Sequence, residues 1–85
     1  MYIMEIVHDE KLHKFYAIVD GLECFAEYER KGDVLDFYHT YVPAQLRGKG
    51  IAKRLLDNAL EYVKANSLKA EATCSYAKQY FEKLS

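Results

Sequence analysis

The sequence predicts an α/β fold: a mixed sheet of about five strands carrying one long and one short helix. Three observations lead there. The first half of the chain alternates apolar and polar residues at the two-residue period of strands, broken by turn dipeptides. From residue 51 the apolar positions switch to helical spacing. A further short β-rich run follows that helix, which completes a strand–helix–strand unit.

Taken in order, Tyr2 to His8 reads as a first strand, with Ile3, Met4, Ile6 and Val7 apolar. Asp9-Glu10-Lys11 is a polar turn. Lys14 to Val19 is the second strand, and Phe15, Ala17 and Val19 share one face. Asp20-Gly21 signals a hairpin, because both residue types tolerate positive φ. The third strand runs from Glu23 to Glu29. Its Cys24, Ala26 and Tyr28 face one way; Glu23, Phe25, Glu27 and Glu29 face the other. Lys31-Gly32-Asp33 turns the chain into a fourth strand, Val34 to Val42, and the four strands form an antiparallel meander. A helix then spans Gly50 to Ala65, with Ile51, Leu55, Ala59 or Leu60, and Val63 as its apolar stripe and Asn66 as its C′ residue. Leu68 to Cys74 is the fifth strand, predicted parallel to the fourth through a right-handed crossover. Ser75 is the predicted N-cap of a last helix, Tyr76 to Leu84. With no repeat, linker or low-complexity segment, residues 1–85 read as one domain.

The stretch between the fourth strand and the long helix carries the chemistry. It reads Tyr41-Val42-Pro43-Ala44-Gln45-Leu46-Arg47-Gly48-Lys49-Gly50-Ile51-Ala52. Gly48 and Gly50, one residue apart, let backbone N–H groups turn toward a common point with no Cβ in the way. The helix that follows aims the positive end of its dipole at that point, and Arg47 and Lys49 add two charges. Strand, glycine loop and helix start together make a phosphate cradle, or else an ordinary strand-to-helix loop. The Walker pattern is absent, since Lys49 is followed by Gly50 and no Gly lies five before either glycine. The Rossmann pattern fails because Lys53 stands at its last position.

Composition narrows the classes. The net charge is −1, which argues against a general nucleic-acid binder. No apolar run approaches a membrane span, and the first residues show neither a basic segment nor a long apolar one, so neither membrane insertion nor a secretory signal is expected. Cys24 and Cys74 lie far apart with no CxxC, the pattern of a cytoplasmic chain with two free thiols. The spacing of His8, His13, His39, Cys24 and Cys74 fits no metal site; His8 and His13 read as hairpin-edge residues. Eight tyrosines and no tryptophan suit strands and half-buried cleft walls.

Gln45-Leu46-Arg47-Gly48-Lys49-Gly50 fits the pattern Q/R-x-x-G-x-G/A and resembles the acyl-CoA pyrophosphate loop of the GNAT superfamily of N-acetyltransferases. The resemblance extends over nearly the whole chain to a subfamily of very small GNAT-like, general-control-related acetyltransferases. It is carried by Phe15, Asp20-Gly21, Ala26 and Tyr28, then by His39-Thr40-x-Val42, Arg47-Gly48-Lys49-Gly50-Ile51-Ala52, Leu55 and Cys74-x-Tyr76. It departs at Ala72, where relatives tend to carry proline. The resemblance implies a minimal GNAT-like fold that lacks the family's first helices, and a site for acetyl-CoA as cosubstrate. The fourth and fifth strands would splay, with the pantetheine arm paired to backbone at Tyr41 and Val42. The pyrophosphate would sit on N–H groups from Leu46 to Ala52.

Acetyl transfer needs a base for the amine, donors for the oxyanion and an acid for the departing thiolate. His39, near the end of the fourth strand, is a candidate base or a structural histidine. Cys74, before a helix start that lowers a thiol pKa, is a nucleophile, a base, a polar contact or a packed hydrophobe. Tyr76 or Tyr80 is a candidate acid, as a helix tyrosine is in many GNAT enzymes. The acceptor is an amine, with Glu23, Glu27 and Glu29 as an acidic face that either attracts it or is merely solvated. The chain is too short for large substrate-binding insertions, so the acceptor groove is open, shallow or completed by a second copy in a homodimer. The rival readings are a CoA-binding module without turnover and a small interaction protein.

Overall fold

The computed structural model describes residues 4–84. Strand β2, Lys14–Val19, alternates as its sequence does: Phe15, Ala17 and Val19 are buried and Ile18 is exposed. Strand β3, Leu22–Lys31, buries Cys24, Ala26 and Tyr28 on the same face. Asp20 and Gly21 join them with φ of 52° and 76°, the two positive values a primed hairpin turn requires. Strand β1, Val7–Asp9, pairs with the start of β2. The predicted first strand was longer. Tyr2 and Ile3 lie outside the described residues, and Met4 to Ile6 are not strand: the β1–β2 ladder runs only from Asp9 opposite Lys14 to Val7 opposite Tyr16, although β2 continues to Val19.

Strand β4, Val34–Tyr41, pairs antiparallel with β3, and β5, Lys69–Ala72, pairs parallel with β4. The sheet order is β1-β2-β3-β4-β5, the mixed five-stranded arrangement expected. Between them lies helix α1, Ile51–Ala65; helix α2, Ser75–Leu84, ends the described chain. Both helices cover one face. Tyr62 of α1 meets Phe15 at 6.0 Å between ring centroids, and Phe81 of α2 meets Phe37 at 5.9 Å. Ile51, Leu55, Leu56, Ala59 and Val63 are the buried stripe of α1. Leu56, beside the predicted stripe, joins it because a core-facing helix buries a band wider than one row.

Helix α1 closes in a Schellman turn. The N–H of Leu68 donates to the carbonyl of Val63 at 2.9 Å and that of Ser67 to Lys64 at 3.3 Å. The left-handed residue is Ser67, at φ 53°, so the expected C′ position moves one residue on from Asn66. Asn66 instead turns its side-chain amide onto the carbonyl of Tyr62 at 2.9 Å.

His8 is more than an edge residue. Its ring stacks on Phe15 at 4.0 Å, and its Nε2 shares a 2.7 Å hydrogen bond with the Tyr28 hydroxyl. Burial pushes the Tyr28 phenol up to about 12 and lowers His8 from its ordinary value, so the hydroxyl keeps its proton and the imidazole stays neutral.

Candidate functional site

The β4–β5 pairing stops halfway along β4. The last pair is Phe37 with Ala72, and the Phe37 carbonyl accepts from the N–H groups of both Thr73 and Cys74 at 3.1 Å. Beyond Phe37, β4 runs on to Tyr41 while paired only to β3. Its outer edge from Tyr38 to Tyr41 therefore carries no β5 partner, and a strand edge without a partner presents ladder donors and acceptors.

A β-bulge sits at that point. Tyr28 opposes Phe37, but Glu27 opposes His39, so Tyr38 is one extra residue on β4. The bulge changes which residues face the helices. Leu35 and Phe37 point there before it; Thr40, opposite the buried Ala26, points there after it. His39 turns to the uncovered face, across from Glu27 and with its ring 5.5 Å from Phe25.

After β4 the chain makes one 3₁₀ turn, Ala44–Leu46, which inserts Leu46 into the core. The Leu46 N–H donates to Pro43 and that of Arg47 to Ala44. These two donors of the expected cradle are therefore used inside the turn. Gly48 and Gly50 follow at φ 81° and 75°. A Cβ at either would meet nothing of the protein within 4 Å, so both face open space. Gly50 caps α1 with no side chain, and the first helical bond to reach it comes from Arg54. The N–H groups of Ile51, Ala52 and Lys53 are thus the first-turn donors of a helix whose cap supplies no acceptor, with no acidic residue in that turn. This is the geometry of an anion site.

The two features share one cavity of about 520 Å³. Its walls are Thr40, Tyr41 and Val42 from β4, Leu46, Arg47, Gly48 and Gly50 from the loop, Ile51 and Ala52 from α1, and Tyr76 from α2. The volume falls in the range of small-molecule and cofactor sites. Nine of those residues are sequence candidates; Thr40 is the addition. The signal that could have found it is the change of apolar parity along β4, from Leu35 and Phe37 to Val42, which marks a bulge. Gln45, Lys49, His39 and Cys74 are not on the walls. Arg47 folds back so that its Nε donates to the Val42 carbonyl at 2.9 Å, which engages part of the backbone expected to hold the pantetheine arm.

Cys74 lies one contact behind the cavity. It does not end β5, which stops at Ala72; it caps α2. The N–H of Lys78 donates to its carbonyl at 2.9 Å, the first bond of the helix. Ser75, the predicted cap, is already helical. The Cys74 sulfur lies 3.8 Å from the Thr40 hydroxyl. Burial acts to raise the thiol pKa, but the nearby backbone N–H groups of Ala77, Tyr76 and Thr40 and the Thr40 hydroxyl, to which the neutral thiol donates, favour the thiolate. Together these donors bring the thiol below its ordinary value. Cys74 is thus a sulfur analogue of a serine N-cap. Tyr76 stands at the cavity, 46% exposed. Tyr80 does not: its hydroxyl donates to Asp57, which also pairs with Lys53 at 3.0 Å. Neither cysteine is bridged, and no metal-holding group of His, Cys, Asp and Glu occurs among the described residues. No helix there is long and apolar enough to cross a membrane.

Comparison with known proteins agrees with this geometry. Residues 14–85 match the sequence model of the family described as GCN5-related N-acetyl-transferase. The chain is 39% identical over 80 residues to Protein NATD1 of Gallus gallus, covering 91% of this chain and 73% of that protein. It is 38% identical over 80 residues to Protein NATD1 of Homo sapiens, covering 91% and 71%. With the five-stranded mixed sheet and the glycine loop before α1, the match shows that this chain belongs to the GCN5-related N-acetyltransferase (GNAT) family.

Proposed function

We propose that this chain binds acetyl-CoA in the helix-side cavity and transfers the acetyl group to an amine. The observation that carries the reading is the continuity of one cavity from the Gly48–Ala52 anion site to the unpaired end of β4. The family generally uses acetyl-CoA as cosubstrate, which supports the reading. The residues present fit such a molecule. Gly48, Gly50 and the first-turn N–H groups of α1 suit a pyrophosphate, with Arg47 and Lys49 as neighbouring charges. The edge of β4 that β5 leaves unpaired, ending at Tyr41 and Val42, suits an amide-bearing arm laid beside it as a strand would lie, with the Val42 carbonyl shared with Arg47.

In the transfer, a neutral amine nitrogen bonds to the thioester carbonyl carbon, the carbon–sulfur bond breaks and the CoA thiolate leaves. The amine gives up a proton to a base, and the thiolate gains one from an acid. His39, on the uncovered face just before the unpaired end of β4, is the proposed base. Tyr76 is the proposed acid, since it lines the cavity. Cys74 acts behind Thr40 as a low-pKa group that is nucleophilic or polar toward the thioester. A reducing compartment such as the cytoplasm suits its free thiol.

A second reading is a CoA-binding module without turnover. It is favoured by the separation of His39 and Cys74 onto opposite faces of β4, which leaves no base touching the thiol. Incubation with acetyl-CoA and a panel of amines, reading free CoA, decides between the two. Release above the chemical background supports transfer; a melting shift with CoA but no release supports the module.

A further inference from the structure

The helices and the cavity occupy one face of the sheet, which leaves the other face of the β4–β5 gap uncovered by them. That face is bare: Ile18 is 57% and Tyr41 41% exposed. Beside the gap it is built from aromatic rings around one carboxylate. Phe25 lies 5.5 Å from the His39 ring and 5.6 Å from that of Tyr41. Glu27 stands directly across from His39 on β3, where facing Cβ atoms are about 5 Å apart. Lys14 is the cross-strand neighbour of Glu27 on its other side. Its ammonium, however, bonds Glu23 at 2.8 Å and lies 5.3 Å from the Tyr16 ring centre and 5.7 Å from that of Phe25. Among the described residues Glu27 makes no side-chain hydrogen bond and no ion pair within 4 Å; it acts on the Lys14 ammonium only through space, while Glu23 holds it directly.

We propose that Glu27, with Phe25 and Tyr41, forms the acceptor subsite, and that it selects a primary ammonium on an alkyl chain. The proposal rests on the acetyl-transfer reading for its place in a reaction, and on the uncovered face for its chemistry. The Glu27 carboxylate complements the ammonium charge, and the rings of Phe25 and Tyr41 pack the alkyl chain and attract the cation. Lys14 shows that this surface already holds one alkylammonium against a carboxylate and two rings. Glu27 is a specificity residue here: it holds the ammonium beside His39 and takes no part in bond making. A lysine side chain and a free polyamine both carry this group.

The test is an NMR titration of the ¹⁵N-labelled chain, alone and with CoA, using n-butylamine, Nα-acetyl-lysine amide and spermidine as probes. Shift changes centred on Phe25, Glu27, His39 and Tyr41 are expected with at least one probe. Glu27→Gln should weaken that binding at least fivefold, and Glu27→Asp should restore part of it. The tighter of the lysine and spermidine probes names the source of the amine. The same spectra report whether each variant is folded, and Phe25→Leu is a second variant that leaves the charge in place and should also weaken binding. Shift changes elsewhere, none with any probe, or equal binding by Glu27→Gln would overturn the proposal. Absence of CoA release with an intact shift map would sink the transfer reading and leave the subsite standing. Release with an unchanged KM for the amine in Glu27→Gln would do the reverse.

Discussion

The sulfur of Cys74 lies 3.8 Å from the hydroxyl of Thr40, across the gap where β5 has ended and β4 continues. Thr40 lines the cavity and Cys74 caps α2, so this contact ties the cavity wall to the second helix. The helix-start N–H groups and Thr40 together hold the thiol below its ordinary pKa against the opposing effect of burial. Alkylation of Cys74 should therefore reach half its maximal rate at a lower pH than a free thiol, whose midpoint is about 8.5. Thr40→Val should raise that midpoint. An unshifted midpoint in the parent, followed by iodoacetamide and mass spectrometry, would contradict the donor arrangement.

The cap predicts a stability pattern separate from reactivity. Cys74→Ser keeps an acceptor for the Ala77 N–H and should melt near the parent. Cys74→Ala removes it and should cost about 0.5–2 kcal/mol. Urea unfolding of both variants checks this; equal stabilities would mean that the sulfur does not cap. Turnover per folded molecule, with a search for an acetyl adduct, then sorts the chemical roles. An adduct marks a nucleophile, slowed turnover without one marks a base or polar contact, and unchanged turnover removes Cys74 from the chemistry.

The loop glycines predict a loss of ligand rather than a clash within the protein. A Cβ at Gly48 or Gly50 meets no protein atom, yet both residues sit at positive φ beside the cavity. Gly50→Val should destabilise the chain by about 1–2 kcal/mol through left-handed strain. Its side chain should also weaken CoA binding by roughly tenfold or more, the loss of about one good hydrogen bond to a charged group. Calorimetric titration of the folded variant is the check, and a wild-type Kd would count against the cradle.

Arg47 and Lys49 flank the same cradle. If each meets phosphate, replacing either with Ala should weaken CoA more than it weakens pantetheine, which carries no phosphate. Equal losses for both ligands would place the two charges outside the phosphate site.

His8 predicts a pH dependence of stability. Burial lowers its pKa in the folded chain below the ordinary value of 6.5, so the unfolded chain binds the proton more readily. Stability from this residue is full above pH 6.5 and is lost as pH falls through the window below it. His8→Gln cannot titrate there, so its urea midpoint should drop less than the parent's between pH 7 and pH 5. An equal drop in both would remove His8 as a source of acid sensitivity.

Much of the fold was legible because local sterics write it into residue periodicity. The Phe15, Ala17, Val19 alternation, the Asp20-Gly21 turn and the α1 stripe each came from neighbours a few residues apart. The loop was legible for the same reason: Gly48 and Gly50 need no partner to reveal their freedom. What escaped depends on pairing between distant strands. The extra residue at Tyr38 exists only in register with β3, and it alone decides that Thr40 faces Cys74 while His39 faces Glu27. The cap moved from Ser75 to Cys74 because β5 pairing ends at Ala72, two residues earlier than its apolar pattern suggested.

Acetyl-CoA is proposed to occupy the cavity from Gly48 to Thr40. The most direct test of this proposal is calorimetric titration of the full chain with CoA and acetyl-CoA, with melting temperature read in parallel. Saturable binding of one molecule per chain and a raised Tm are expected, with binding roughly tenfold weaker and a smaller Tm shift in folded Gly50→Val. No saturable heat and no Tm shift for the parent at millimolar ligand would contradict the proposal.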